Sequence, residues 1–223
     1  MASPVPRPLG IRLLELGALL AFAAYATCFL FRITLGMDGL LDGCVLFFGI
    51  CIGYLTADLI SGIAHWLGDR FGDESTPLVG PTFIAPFREH HDDPLAMVRH
   101  GFVELAGNTA VLACPILIVS YHLVDLQSPS LPKILCTGAL ISALIGVVAT
   151  NVIHRWAHMH EPPRLPALLQ KTGLILTHER HARHHSGNHD RAYCITFGWL
   201  NNGLDALQVW SRAERLLGRK SST

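Results

Sequence analysis

The sequence predicts an all-α integral membrane protein, with four transmembrane helices and a cytosolic, histidine-rich cap. Three observations lead there. Half of the 223 residues are apolar and only 15% are charged, against about a quarter in an ordinary soluble domain; mean hydropathy is +0.37. Four apolar runs are each long enough to cross ~30 Å of hydrocarbon. Thirteen histidines are present, and their positions relative to those runs are not random. Lys+Arg and Asp+Glu are 17 each, so net charge gives no sign of a nucleic-acid partner.

Residues 1–10, with three prolines and Arg7, read as a short disordered lead. Residues 11–218 read as a single membrane domain and 219–223 as a tail. The first span is Leu16 to Phe31, extendable back to Ile11. A signal peptide is the alternative, but three further spans and the topology favour a retained helix. The second runs from Gly43 to Ala64 with one charge, Asp58. The third runs from about Phe102 to Val124 and the fourth from about Ile134 to Ile153. With the N-terminus in the cytoplasm, residues 66–100 and 154–223 share that side. All the Lys and Arg except Arg32 and Lys133 then avoid the far side, a strong positive-inside bias. Of the histidines only His122 falls on the far side. Both termini are expected in the cytoplasm, with a bacterial inner membrane favoured and the endoplasmic reticulum as the alternative.

The segment RLPALLQKTGLIL (164–176) is too short to span and reads as an interfacial helix or a buried part of the cap. AYCITFGWLNN (192–202) reads as a short apolar segment ended by a turn. Leu204 to Leu217 reads as one amphipathic helix. The six cysteines lack CxxC spacing and are expected to be small buried hydrophobes.

Four clusters carry the chemistry. Asp58, Gly62, His65 and Asp69 follow helical spacing along one stripe. A carboxylate inside a span is costly and turns inward to a partner. His65 is a candidate ligand, Asp69 a ligand or orienting group, and Asp58 an acceptor for an imidazole N–H. A snorkelling His-Trp pair is the plainer alternative. His90 and His91 form an adjacent pair before Pro94 and diverge on a helix, so they can serve two different ions. His100 follows, with Glu104 and Asn108 at helical spacing, as a ligand or a supporting residue. Asn151, His154 and His158 share one face, but no Glu follows His154, so this is not the HExxH of a zinc protease. Last comes His181-Ala182-Arg183-His184-His185. A solvated, partly protonated patch is its plainer reading. The best candidates are His65, His90, His91, His154, His158, His181, His184 and His185, with Asp69. One zinc takes three or four protein ligands. This set suits two ions, and two irons at a membrane surface suit O2 activation.

The forms DxxxGxxHWxxD, PFREHHxDP, TNxIHxWxH, HxxHH and YCITxGWLN, spread over roughly residues 45 to 202, resemble the Kua/CarF family, the plasmanylethanolamine desaturases. The resemblance implies O2-dependent desaturation of the 1-O-alkyl chain of an ether phospholipid. It implies electrons from a cytochrome b5 or ferredoxin-type carrier. It assigns iron ligation to the eight histidines and marks Asp69, His100 and His189 as further site residues, His189 being expected among the metal-binding set. It leaves an acyl-lipid desaturase, as in a related plant branch, and a lipid hydroxylase as alternatives. A membrane zinc hydrolase and a non-enzymatic metal carrier are readings of other classes. The lipid headgroup is expected near Arg88, Arg180 or Arg183, unless these form only a solvated basic surface.

Overall fold

The computed structural model describes residues 7–77, 79–80 and 84–218. Among them there are helices and irregular segments but no strand. Four helices are long and apolar enough to cross a membrane: α1 (Leu9–Leu35), α2 (Leu40–Arg70), α5 (Phe102–Leu123) and α6 (Leu131–His158). The shorter helices are α3 (Ala85–Asp92), α4 (Ala96–Arg99), α7 (Arg164–Lys171), α8 (His178–Ala182), α9 (Asn201–Ala206) and α10 (Val209–Leu216). The expected lead at 1–10 and tail at 219–223 fall largely outside the described residues. Within the lead, α1 already begins at Leu9.

The chain divides into two compact units. The first comprises residues up to Ala57 and His100–Val152. In it α1 packs on α5. The buried residues of α1, Glu15, Phe22, Ala26, Phe29 and Ile33, recur at spacings of three, four and seven and so form one stripe. The facing stripe of α5 is built from small residues, Ala106, Gly107, Ala110, Ala113 and Cys114, which let two backbones come close. The segments of α2 and α6 in this unit also approach closely. A Cβ at Gly49 or Gly53 would collide with the backbone oxygens of Leu135 and Ala139, and Ser142 Oγ donates to the Ile50 carbonyl at 2.8 Å. The outward side chains are large and apolar, such as Phe47, Phe48 and Leu112, as lipid contact requires. Cys28, Cys44, Cys51 and Cys136 are likewise exposed, with only Cys114 and Cys194 buried. This corrects the expectation that all six are buried: in an apolar solvent a small apolar residue has no reason to hide.

The second unit comprises Asp58–Arg99 and the residues from Ile153 onward. It contains the last turns of α2 and α6 and all the short helices. Its apolar core is Trp66, Tyr193, Cys194 and Trp210, with Phe71, Leu200, Leu204 and Ala213 packed against it. Asp58 organises the irregular segment beyond Cys194. Its Oδ1 accepts the backbone N–H groups of Thr196 at 3.2 Å, Phe197 at 3.0 Å and Gly198 at 3.0 Å, and its Oδ2 accepts that of Leu200 at 3.3 Å. The role expected for Asp58, acceptor of an imidazole N–H, is therefore replaced by another. The carboxylate accepts from a run of backbone amides, groups that are costly to bury unpaired. Gly198 takes φ +71° there, a conformation that favours glycine.

The expected helix from Leu204 to Leu217 is two helices. The chain breaks at Leu207–Gln208, where Gln208 has φ +52°. The break redirects α10 so that Trp210 and Glu214 are buried, which one continuous apolar period could not foretell. Segment 164–176 is a helix only to Lys171 and then turns at Gly173, which has φ +72°.

Candidate metal centre

Every histidine of the centre belongs to the second unit. The end of α2 supplies His65 and Asp69 one turn apart. α3, which has a proline in its first turn, supplies His90 and His91. The end of α6 supplies His154 and His158. The last set begins in α8, whose first turn is capped by Thr177, its side chain accepting the Arg180 N–H. One further turn, closed by the N–H groups of His184 and His185 on the His181 carbonyl, brings both of those residues to the same side.

These side chains converge into two groups. The first is His90, His154, His158, His181 and His185; the second is His65, His90, His91 and His184. Within each, one ligand atom per residue lies within 4.8 Å of all the others. In the first, Nε2 of His154 is 2.8 Å from that of His181 and 3.0 Å from that of His158. Nε2 of His181 is 2.9 Å from those of His158 and His185. In the second, Nε2 of His91 and His184 are 2.9 Å apart. Asp69 Oδ2 is the hub: it stands 3.3 Å from Nε2 of His65, 3.5 Å from that of His91 and 3.3 Å from that of His184.

Hydrogen bonding alone cannot satisfy this arrangement. His154, His158 and His181 form a closed triangle of nitrogens, and each nitrogen bears either a proton or a lone pair. With three corners and two choices, at least one edge joins like with like. A cation at the centre removes the conflict, because all three lone pairs then point at it. Imidazole nitrogens about 2.0–2.1 Å from one ion and at right angles to each other lie about 2.9 Å apart, against about 3.4 Å for tetrahedral ligands. The observed edges match the right-angle case. In the second group His65 Nε2 and both Asp69 oxygens are buried without a hydrogen-bond partner, a costly state that an ion relieves. The donor set therefore fits two metal ions. Imidazole ligation with a carboxylate and room for more than four ligands suits iron.

Tautomers are fixed from behind. Nδ1 of His65 is 3.2 Å from the Tyr193 carbonyl, and Nδ1 of His184 is 2.7 Å from the Arg191 carbonyl. A carbonyl only accepts, so both Nδ1 atoms carry the proton and both Nε2 atoms keep the lone pair. Between these two carbonyls sits Ala192, 1% exposed and at φ +55°, a left-handed conformation rarely taken by a residue other than glycine. Burial holds His91 down to about 3 and His185 down to about 2, with the neighbouring imidazoles adding to it. Burial also pushes His90 and His181 well below the usual histidine range. All are neutral near pH 7, as ligation requires.

Other expected site residues lie differently. His189 is in neither group; its ring stacks on that of His91, centroids 4.3 Å apart and planes 7° from parallel. His100 is in neither group; its Nδ1 is 2.8 Å from Glu104 Oε1, a carboxylate that Arg7 also holds. Asn151 donates to the Leu105 carbonyl at 3.4 Å. Arg180 donates to the Gly173 and Phe197 carbonyls and Arg183 to Asn202. The carbonyls of Tyr193 and Arg191 leave no signal in the sequence, since every residue has one.

The lipid desaturase domain family matches residues 54–222. The plasmanylethanolamine desaturase of Myxococcus xanthus is 36% identical over 207 residues, 93% of this chain and 72% of that protein. Plasmanylethanolamine desaturase 1 of Mus musculus is 38% identical over 172 residues, 76% of this chain and 64% of its own length. The chloroplastic fatty acid desaturase 4 of Arabidopsis thaliana is 36% identical over 165 residues, 73% of this chain and 48% of its own. The chain thus spans less than two thirds of the latter two. No solved structure matches it.

Proposed function

The chain belongs to the lipid desaturase family, a family of oxidoreductases, and on that premise we propose that it is a plasmanylethanolamine desaturase. The substrate is an ether phospholipid in the bilayer. Two hydrogens leave adjacent carbons of the 1-O-alkyl chain, one of them next to the ether oxygen, and a vinyl ether remains. With them go O2, two electrons and two protons, and two waters form. A one-electron carrier of cytochrome b5 or ferredoxin type supplies the electrons. The termini face the cytoplasm, by the charge bias of the loops, and the host membrane is a bacterial inner membrane or the endoplasmic reticulum.

One observation carries the reading: imidazoles from four separate segments, with Asp69, gather into two adjoining donor sets. When bound there, two irons supply the O2 chemistry needed to break an unactivated C–H bond. The chain's own work is to keep the imidazoles neutral by burial. The Tyr193 and Arg191 carbonyls hold His65 and His184 in the coordinating tautomer. Asp69 offsets the positive charge with one carboxylate.

The Arabidopsis relative's name supports a second reading, an acyl-lipid desaturase. Both are tested by expressing the protein in cells supplied with alkyl-ether phospholipid and analysing the lipids. Acid-labile vinyl ethers, two hydrogens lighter than the substrate, are the expected product. A new acyl double bond supports the second reading, and a product heavier by one oxygen indicates a hydroxylase. Purified protein carrying zinc and working without O2 would overturn the family of readings.

A further inference from the structure

His90 alone belongs to both donor groups. Its ring centroid lies 5.0 Å from those of His154 and His185 in the first group. It lies 4.4 Å from that of His91 and 5.3 Å from that of His65 in the second. The side chain is buried, 1% exposed. Both of its ring nitrogens are buried, and neither has a hydrogen-bond partner.

That last fact separates it from the other histidines. A metal-bound imidazole ordinarily donates its second N–H to a carbonyl or carboxylate, as His65 and His184 do here. His154 and His181 lack an acceptor for Nδ1, but their Nε2 atoms sit among their own group's nitrogens. His90 has no acceptor for either nitrogen, and its ring lies beside candidate ligand rings of both groups.

We propose that His90 bridges the two metal ions, one ring nitrogen to each. The proposal rests on the two-ion reading above. Both nitrogens can coordinate only if the ring loses its N–H proton. That bond breaks as the second ion binds, its electron pair stays on nitrogen and forms the new metal–nitrogen bond, and the proton passes to solvent. Nothing is oxidised or reduced in this step. The bridge fixes the distance between the ions and couples their electrons through one aromatic ring.

The test compares the detergent-purified full-length protein and His90→Ala, both loaded with ferrous iron without O2. Iron content is measured first. A wild type holding fewer than two irons overturns the two-ion reading itself. With two irons bound, variable-temperature magnetic susceptibility reads the coupling. The bridge requires a coupled pair in wild type and loss of coupling in His90→Ala, whether one iron or two remain. An uncoupled wild type, or coupling that survives in His90→Ala, overturns the bridge and leaves the two-ion reading standing. Should the variant fail to fold, wild type loaded with cobalt decides by proton NMR. The bridge gives one fewer metal-shifted exchangeable ring N–H than there are coordinating histidines, and equal numbers overturn it.

Discussion

Arg70 Nε stands 2.7 Å from Oε1 of Glu214, and both side chains are largely buried. The same oxygen accepts the Trp66 indole N–H at 3.2 Å. A residue of α10 thus grips the turn of α2 that also bears His65 and Asp69. Removing one partner of a buried ion pair costs about 3–5 kcal/mol. Glu214→Ala should therefore lower the thermal midpoint of the purified protein by many degrees. Glu214→Gln, which keeps an acceptor for the indole, should lower it less. Equal melting of wild type and Glu214→Ala would show that α10 contributes no grip.

Asp58→Ala removes the acceptor of four backbone amides in the second unit. An unsatisfied buried donor costs about 1–3 kcal/mol, so the loss should exceed about 3 kcal/mol in total. The expected outcome is protein that inserts but is cleaved by protease between Tyr193 and Asn201. Wild-type resistance to cleavage would show that the amides find other acceptors.

Replacing any one of His65, His91, His154 or His185 with Ala should abolish vinyl-ether product while the protein stays in the membrane. Iron content should fall as well, which separates loss of a ligand from loss of substrate binding. Near-normal activity in two of the four variants would break the assignment.

Asp69→Asn keeps the size of the side chain but removes the charge that faces three imidazoles. Iron affinity should drop by at least about 10–100-fold, the range for partners that support metal ligands. Asp69→Ala should be worse. Iron titration of both variants decides it.

The metal-free protein should weaken in acid. The folded His91 and His185 resist protonation down to about 3 and about 2, whereas the unfolded chain takes up protons near pH 6.5. Below that pH the unfolded state binds more protons, so stability falls as pH falls. The slope is about 1.4 kcal/mol per pH unit for each such histidine, and it continues until the folded site itself protonates. Above pH ~7 these groups contribute no slope. Thermal midpoints from about pH 7.5 to 5 test the sign, and a flat profile would contradict it.

Much of the architecture was legible because hydropathy is a local property, and the four long apolar helices came from it alone. Hydropathy ended two apolar runs at Ala64 and Ile153, while the helical spacing of His65 with Asp69 and of His154 with His158 carried the helices further. The helices run on to Arg70 and His158, since a polar residue ends an apolar run without ending a helix. Those extra turns carry His65, Asp69, His154 and His158. The joining of His90 to both groups was not legible, because adjacent histidines show only that their rings diverge. Nor was the task of Asp58, whose partners are amides more than 130 residues away. The break at Gln208 is likewise illegible in the sequence, because Glu214 docks on Trp66 and Arg70 more than 140 residues away.

The short stretch from Arg191 to Tyr193 holds the rings of His65 and His184 from behind, through carbonyls on either side of one alanine at positive φ. A change in the backbone torsions of Ala192 would shift the two carbonyls, and with them both imidazoles, relative to each other. Metal grip can accordingly be adjusted at Ala192, a position that offers no donor atom, and a glycine placed there would slacken the two rings in concert.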